Sequence, residues 1–293
     1  MNSELLSPDL LARLERLEFV TRKIFRGRLQ GERRSARKGQ SVEFDDFRNY
    51  VAGDDLRLLD WNLYARLEKL IVKLFLEEEE LHLYALVDAS PSMGFGEPSK
   101  LQCAKQIAAA LGFIGLVRSD RVRVETLGQP PRRPGPLFRG RGSVGRLLDH
   151  LQGLQPIESA SLRDGVRNFC LRNPSKGVVV LLSDLLDKQG FEEALRHFAA
   201  RQLDCYVIHL LSREELSPDV RGDLKLVDCE DREEAEITVS APLLGRYQRT
   251  LDEFLRQAEE FCKRRGIGYL RCDNRVSVAD LVARQLRTRG LVR

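Results

Sequence analysis

The run Val87-Asp88-Ala89-Ser90-Pro91-Ser92-Met93 sets one carboxylate and two hydroxyls at alternate positions. Asp88, Ser90 and Ser92 offer oxygen donors only, which suits a hard cation such as Mg²⁺. That ion keeps several of its waters and needs few protein ligands. Mn²⁺ or Ca²⁺ accepts the same donor type. A second acid, Asp184, stands in Ser183-Asp184-Leu185. Each acid closes an apolar run that reads as a buried strand, residues 81–87 and 177–183. In open α/β sheets the ligand crevice lies outside the carboxyl ends of the strands. Neighbouring strands would therefore let Asp88 and Asp184 share one ion.

Other chemistries find less support. The six cysteines form no C-x-x-C pair, and the four histidines stand alone, so zinc spacing is lacking. The thiols lie mostly in apolar contexts, where cysteine is a small buried hydrophobe, and a reducing cytoplasm is expected. No G-x-S-x-G elbow precedes a helix, and Gly94-Phe95-Gly96 is too short for a phosphate-binding loop. A haloacid-dehalogenase-type phosphotransferase needs a second Asp two residues after the first, and that position is Ser90. No histidine is placed as a base beside a nucleophile. A non-enzymatic protein is expected.

The elements that must carry these residues follow from periodicity. Residues 5–25 have apolar positions at helical spacing, with Ser7-Pro8 as a start. Residues 41–75 read as extended, broken by the turn Ala52-Gly53-Asp54-Asp55, with a strand at 70–76 and an acidic block at 77–80. From residue 81 strands and helices alternate. Strands are expected at 81–87, 121–127, 177–183, 204–211 and 267–271, and helices at 99–117, 143–151, 162–171, 191–201, 243–265 and 277–287. Residues 129–142 read as a surface loop, and 224–239 as a hairpin around an acidic turn. The fold class is α/β: a mostly parallel central sheet with helices on both faces. An N-terminal helix and extended segment, residues 1–80, precede the α/β domain of residues 81–293.

The chain has 293 residues, 42% of them hydrophobic, enough for a sizeable core. No apolar run approaches the ~20 residues of a membrane helix, and the acidic, amphipathic start lacks a signal-peptide layout. Basic stripes occur at residues 13–38 and 126–148, within a net charge of +4. They leave open a nucleic-acid-binding module as the alternative function. Arginine is frequent throughout, however, and no zinc finger or RNP-type motif accompanies the stripes, so nucleic acid is not the expected partner.

Asp88-x-Ser90-x-Ser92 resembles the metal-ion-dependent adhesion site (MIDAS) of von Willebrand factor A domains. Upstream, Arg48, Tyr50, Gly53, Asp54, Asp55, Arg57, Asp60, Trp61 and Arg66 resemble the signature of the domain of unknown function 58 family, whose members carry such a domain. The resemblance spans roughly residues 41–273. It implies that Ser90 and Ser92 ligate a divalent cation directly and that Asp88 and Asp184 hold it directly or through water. The family pattern adds a threonine, where alignment on Leu162 places Ala160; Ser159 or Ser161 would have to substitute. The resemblance also implies a MoxR-type AAA ATPase as partner, in assembly or activation of another complex. The signature residues read most simply as an ion-pair and turn network around a buried Trp61, with Tyr50 in a core or interface.

Overall fold

The computed structural model describes residues 5–20, 44–75, 81–127, 134–157, 161–173, 176–201 and 203–293. By packing, the chain divides into two units, Met1–Arg26 with Leu81–Arg293, and Gly27–Glu80.

In the larger unit, helix α1 (Pro8–Leu14) starts at Ser7, whose hydroxyl accepts from the Leu10 amide. Leu5, Leu6, Leu10 and Leu14 enter the main core, so α1 packs within the α/β unit. The helix is shorter than residues 5–25 suggested. It stops at Leu14, and Phe19 instead pairs as an isolated bridge with Val292 near the C-terminus. The apolar spacing persisted because Leu17 and Phe19 are still core residues, buried without helical backbone. Residues 21–25 lie outside the described residues.

The smaller unit contains β1 (Phe44–Asn49), α2 (Trp61–Leu67) and β2 (Ile71–Phe75), the strands paired antiparallel with Asn49 opposite Ile71. The connection turns at Gly53, whose φ of +103° favours glycine. Helix α2 was not expected in an extended stretch. Its cause is local: Asp60 accepts from the amides of Asn62 and Leu63, at 2.9 and 3.1 Å, and seven residues are too few for periodicity to declare itself.

The alternating region runs as follows. Strand β3 (His82–Asp88) leads to α3 (Lys100–Val117), β4 (Arg121–Leu127), β5 (Leu137–Arg139), α4 (Val144–Gln152), α5 (Leu162–Arg172) and β6 (Gly177–Ser183). Then come α6 (Glu192–Ala199), β7 (Leu203–Leu211), the single turn α7 (Arg213–Leu216), the hairpin β8 (Gly222–Val227) and β9 (Glu234–Val239), α8 (Ala241–Arg264) and β10 (Gly268–Asp273). A last helix, α9 (Val278–Asp280), continues as a π-helical stretch, Leu281–Leu286. The expected surface loop 129–142 thus includes a short strand, β5, which pairs antiparallel with β4 through Phe138 opposite Val122. Phe138 supplies one inward side chain, too few to show as a pattern among Pro, Gly and Arg.

The central sheet has the order β10-β7-β6-β3-β4-β5, parallel apart from β5. Every residue of β6 and β7 is buried, Asp204 and His209 included, as strands covered on both faces must be. Leu83, Ala85, Val87, Val178, Val180 and Leu182 face the core shared with α1, α3 and α4. Tyr84, Leu86, Val179 and Leu181 face the other, with α5, α6 and α8. From β3 the chain moves to β4 on one side, whereas β6, β7 and β10 build outward on the other. The strand order therefore reverses between β3 and β6, where a doubly wound sheet opens its ligand crevice.

Candidate metal centre

Asp88 is the last residue of β3 and Asp184 the first after β6, and those strands are neighbours in register, Val87 beside Leu182. The two acids meet at the switch point. Both are buried, at 7% and 1% exposure. Asp88 Oδ1 accepts from the Ser90 amide at 2.9 Å, and Oδ2 accepts from the Ser183 hydroxyl at 2.6 Å. Ser90 ends the extended segment, Pro91 starts a one-turn 3₁₀ helix, and Ser92 sits inside that turn. The turn brings Ser90 Oγ and Ser92 Oγ within 3.0 Å. Asp88, Ser90, Ser92 and Asp184 are thus brought to one end of the sheet.

Burial, then the neighbouring Asp184 carboxylate, pushes Asp88 up to about 6, against the Ser183 and Ser90 hydrogen bonds that favour its charge. A buried carboxylate short of positive charge, with two hydroxyls beside it, is a donor set that fits a hard divalent cation. Ser161 lines the same cleft as Asp88 and Ser90. Its hydroxyl already accepts from the Asp164 amide, as the N-cap of α5, and Asp187 Oδ2 fixes that helix start through the Leu162 amide at 2.7 Å. Ser159 and Ala160 lie outside the described residues. Among the described residues no three His, Cys, Asp or Glu side chains converge as a metal cluster.

Several members of the site had no signal in the sequence. Lys100, at the start of α3, is fully buried, and its Nζ contacts Asp184 Oδ2 at 2.7 Å and Glu215 Oε1 at 2.5 Å. Burial opposes the charge, but Asp184 and Glu215 outweigh it and hold the ammonium above its ordinary value. Glu215 belongs to a capping box with Ser212 at the end of β7. Asp184 Oδ1 accepts from the Leu186 amide at 3.1 Å, so both of its oxygens have donors. Leu185 between them takes φ +57°, a left-handed turn that lets the backbone fold back over the acid. Beneath, His209 is kept neutral by burial, lowered to about 4.

The β8–β9 hairpin reaches this end of the sheet. Lys188, on the loop after β6, pairs with Asp228 at 3.3 Å and with Asp231. Glu230 at the tip lines the cleft with Asp88 and Ser90. Its carboxyl is raised by burial, then by Asp184, Asp228, Asp88 and Asp187. The rim is acidic, so an uncompensated carboxylate would be repelled from it.

The signature residues lie in the smaller unit. Arg48 pairs with Asp54 at 3.0 Å, Arg57 grips Asp55 with two nitrogens, and Lys73 pairs with Asp60 at 3.1 Å. The ion-pair and turn network exists, but Trp61 is not its buried centre. Trp61 is 60% exposed and packs edge-on against Tyr64. Arg66 is exposed on the same helix, and Tyr50 is half-buried.

Among the described residues no helix is long and apolar enough to cross a membrane. Uncharacterized proteins of Mycobacterium bovis and Mycobacterium tuberculosis are 29% identical to this chain over 248 residues, covering 83% of it and 78% of theirs. A conserved hypothetical protein, BatB from Bacteroides thetaiotaomicron, superposes with a TM-score of 0.45 at 14% identity, over 71% of this chain and 98% of that one. Residues 46–254 match the family described as "Protein of unknown function DUF58". That match takes in well over half of the chain, including the signature segment and the Asp88 site, and the chain belongs to the DUF58 family.

Proposed function

We propose that the chain is a non-enzymatic protein-recognition module of the von Willebrand factor A type, with a MIDAS-like divalent-cation site, and that its partner is a MoxR-type AAA ATPase. The observation that carries this reading is the meeting of Asp88, Ser90, Ser92 and Asp184 at the switch point between β3 and β6. Asp88 supplies the charge, and Ser90 and Ser92 supply neutral oxygens from one rigid turn. Asp184 is anchored behind them by Lys100 and the Leu186 amide. A bound Mg²⁺ would turn an acidic crevice into one that accepts a partner's Glu or Asp, since the ion is the largest local charge. The partner's identity comes from the family resemblance.

The test is a pull-down from native extract with and without chelator, using wild type and the Ser90→Ala/Ser92→Ala variant. Removing two hydroxyls leaves the Asp88 charge and the strand ends untouched, so the variant should fold. Recovery of an ATPase by wild type only with the cation, and by the variant in neither condition, supports the reading. Equal recovery in chelator, or an eluate dominated by nucleic acid that salt removes, overturns it.

A further inference from the structure

A carboxylate that ligates an ion directly needs an oxygen turned to it, and here both oxygens of Asp184 already have donors, one of them a buried ammonium. Lys100 is 0% exposed and its ammonium lies 2.7 Å from Asp184 Oδ2, with Glu215 Oε1 at 2.5 Å as the second partner. The Leu186 amide holds the other Asp184 oxygen. Burying an ammonium is costly unless it is paired and hydrogen-bonded. Lys100 therefore stays on its two carboxylates, and α3, the β6 end and α7 are tied together through it. Asp88, by contrast, is hydrogen-bonded by the Ser183 hydroxyl and by Ser90, neutral groups that leave its charge uncompensated.

We propose that Lys100 is a resident cation that removes Asp184 from direct ligation, leaving Asp88, Ser90 and Ser92 to hold a divalent ion weakly until a partner carboxylate completes its sphere. The inference rests on the metal-site reading and extends it to how tightly the site holds its ion. The charge count agrees. Asp184 and Glu215 against Lys100 leave one net negative charge beside Asp88, where two free acids and no lysine would leave two. A weakly held ion ties recognition to the partner, because ion and carboxylate each bind well only with the other present. Lys100 is thus a positioning residue acting through Asp184.

The experiment measures Mn²⁺ affinity of the full chain by electron paramagnetic resonance, in wild type, Asp88→Ala, Glu215→Gln and the double variant Lys100→Met/Glu215→Gln. The double variant removes one charge of each sign, so local net charge is unchanged while Asp184 Oδ2 becomes available. Its Mn²⁺ affinity should rise about tenfold or more. Glu215→Gln alone leaves the ammonium wholly to Asp184, and affinity should fall several-fold. This variant keeps the buried lysine paired, and it carries the test if the double variant does not fold. A purely structural lysine would change stability and leave Mn²⁺ affinity alone. If Asp88→Ala abolishes Mn²⁺ binding while the other variants match wild type, the Lys100 inference is wrong and the site reading survives. If neither wild type nor the double variant binds Mn²⁺ in an Asp88-dependent way, both are wrong.

Discussion

Replacing Asp88 by Asn should stabilise the chelated protein above neutral pH, an unusual outcome for a buried polar residue. Folding raises the Asp88 carboxyl from 3.8 to about 6. At ~1.4 kcal/mol per pH unit, the difference amounts to about 3 kcal/mol as an upper bound. The sign follows from linkage. Well below pH 3.8 the group is protonated in both states and contributes nothing. Between 3.8 and about 6 the unfolded chain ionises first, so the folded state loses stability, and above about 6 the loss is complete. Asparagine does not titrate and keeps an oxygen for the Ser90 amide. Urea unfolding in chelator at pH 4.5, 6 and 8 measures the effect. The difference between Asp88→Asn and wild type should move toward the variant with rising pH, reaching at most about 3 kcal/mol, while other titrating groups cancel. Adding Mg²⁺ at pH 7.5 should stabilise wild type alone, by about 1.4 kcal/mol at ten times its Kd. A flat difference profile, or a variant weaker than wild type at pH 8, would refute the account of Asp88 as an under-compensated buried acid.

Two substitutions test the frame around the site. A Cβ at Gly177, the first residue of β6, would meet the His82 carbonyl oxygen at 2.2 Å, so Gly177→Ala should lower the urea midpoint as an overpacked core change does, by about 1–3 kcal/mol. Trp61→Ala should change stability by about 0.5 kcal/mol or less, because the ring is 60% exposed; a loss of the ~3–5 kcal/mol typical of a core aromatic would show that it is packed after all.

The parallel sheet was legible because its strands carry the pattern that burial on both faces requires. Val178 to Leu182 is an unbroken apolar stretch, β7 departs from one only at Asp204 and His209, and α6 between them carries a stripe of Ala194, Leu195 and Phe198. What escaped notice was short or locally determined. Helix α2 depends on one side-chain cap at Asp60, and β5 on one inward phenylalanine. The N-terminal pattern carried through Leu17 and Phe19 because tertiary packing, and not helical phase, buries them. Trp61 was misplaced for the opposite reason: composition alone places a tryptophan inside, yet its position at the first turn of a seven-residue helix leaves it in solvent.

The site divides along the same line. Asp88, Ser90 and Ser92 are neighbours in sequence, and a strand followed by a proline-started turn suffices to gather them. Asp184 could be added because sheet topology places strand ends together. Lys100 could not. It stands 84 positions from Asp184 and 115 from Glu215, and at a helix start a lysine ordinarily extends into water. Only packing turns it inward, where α3 is buried along almost its whole length and leaves the side chain no route to solvent. The groups that touch an ion can be read from local spacing, whereas the groups that set how strongly it is held are assembled by the fold. On the proposed reading, a chain keeping Asp88, Ser90 and Ser92 but altering Lys100 or Glu215 would present the same motif with a different affinity: the motif would locate the site and the buried ion pair would grade it.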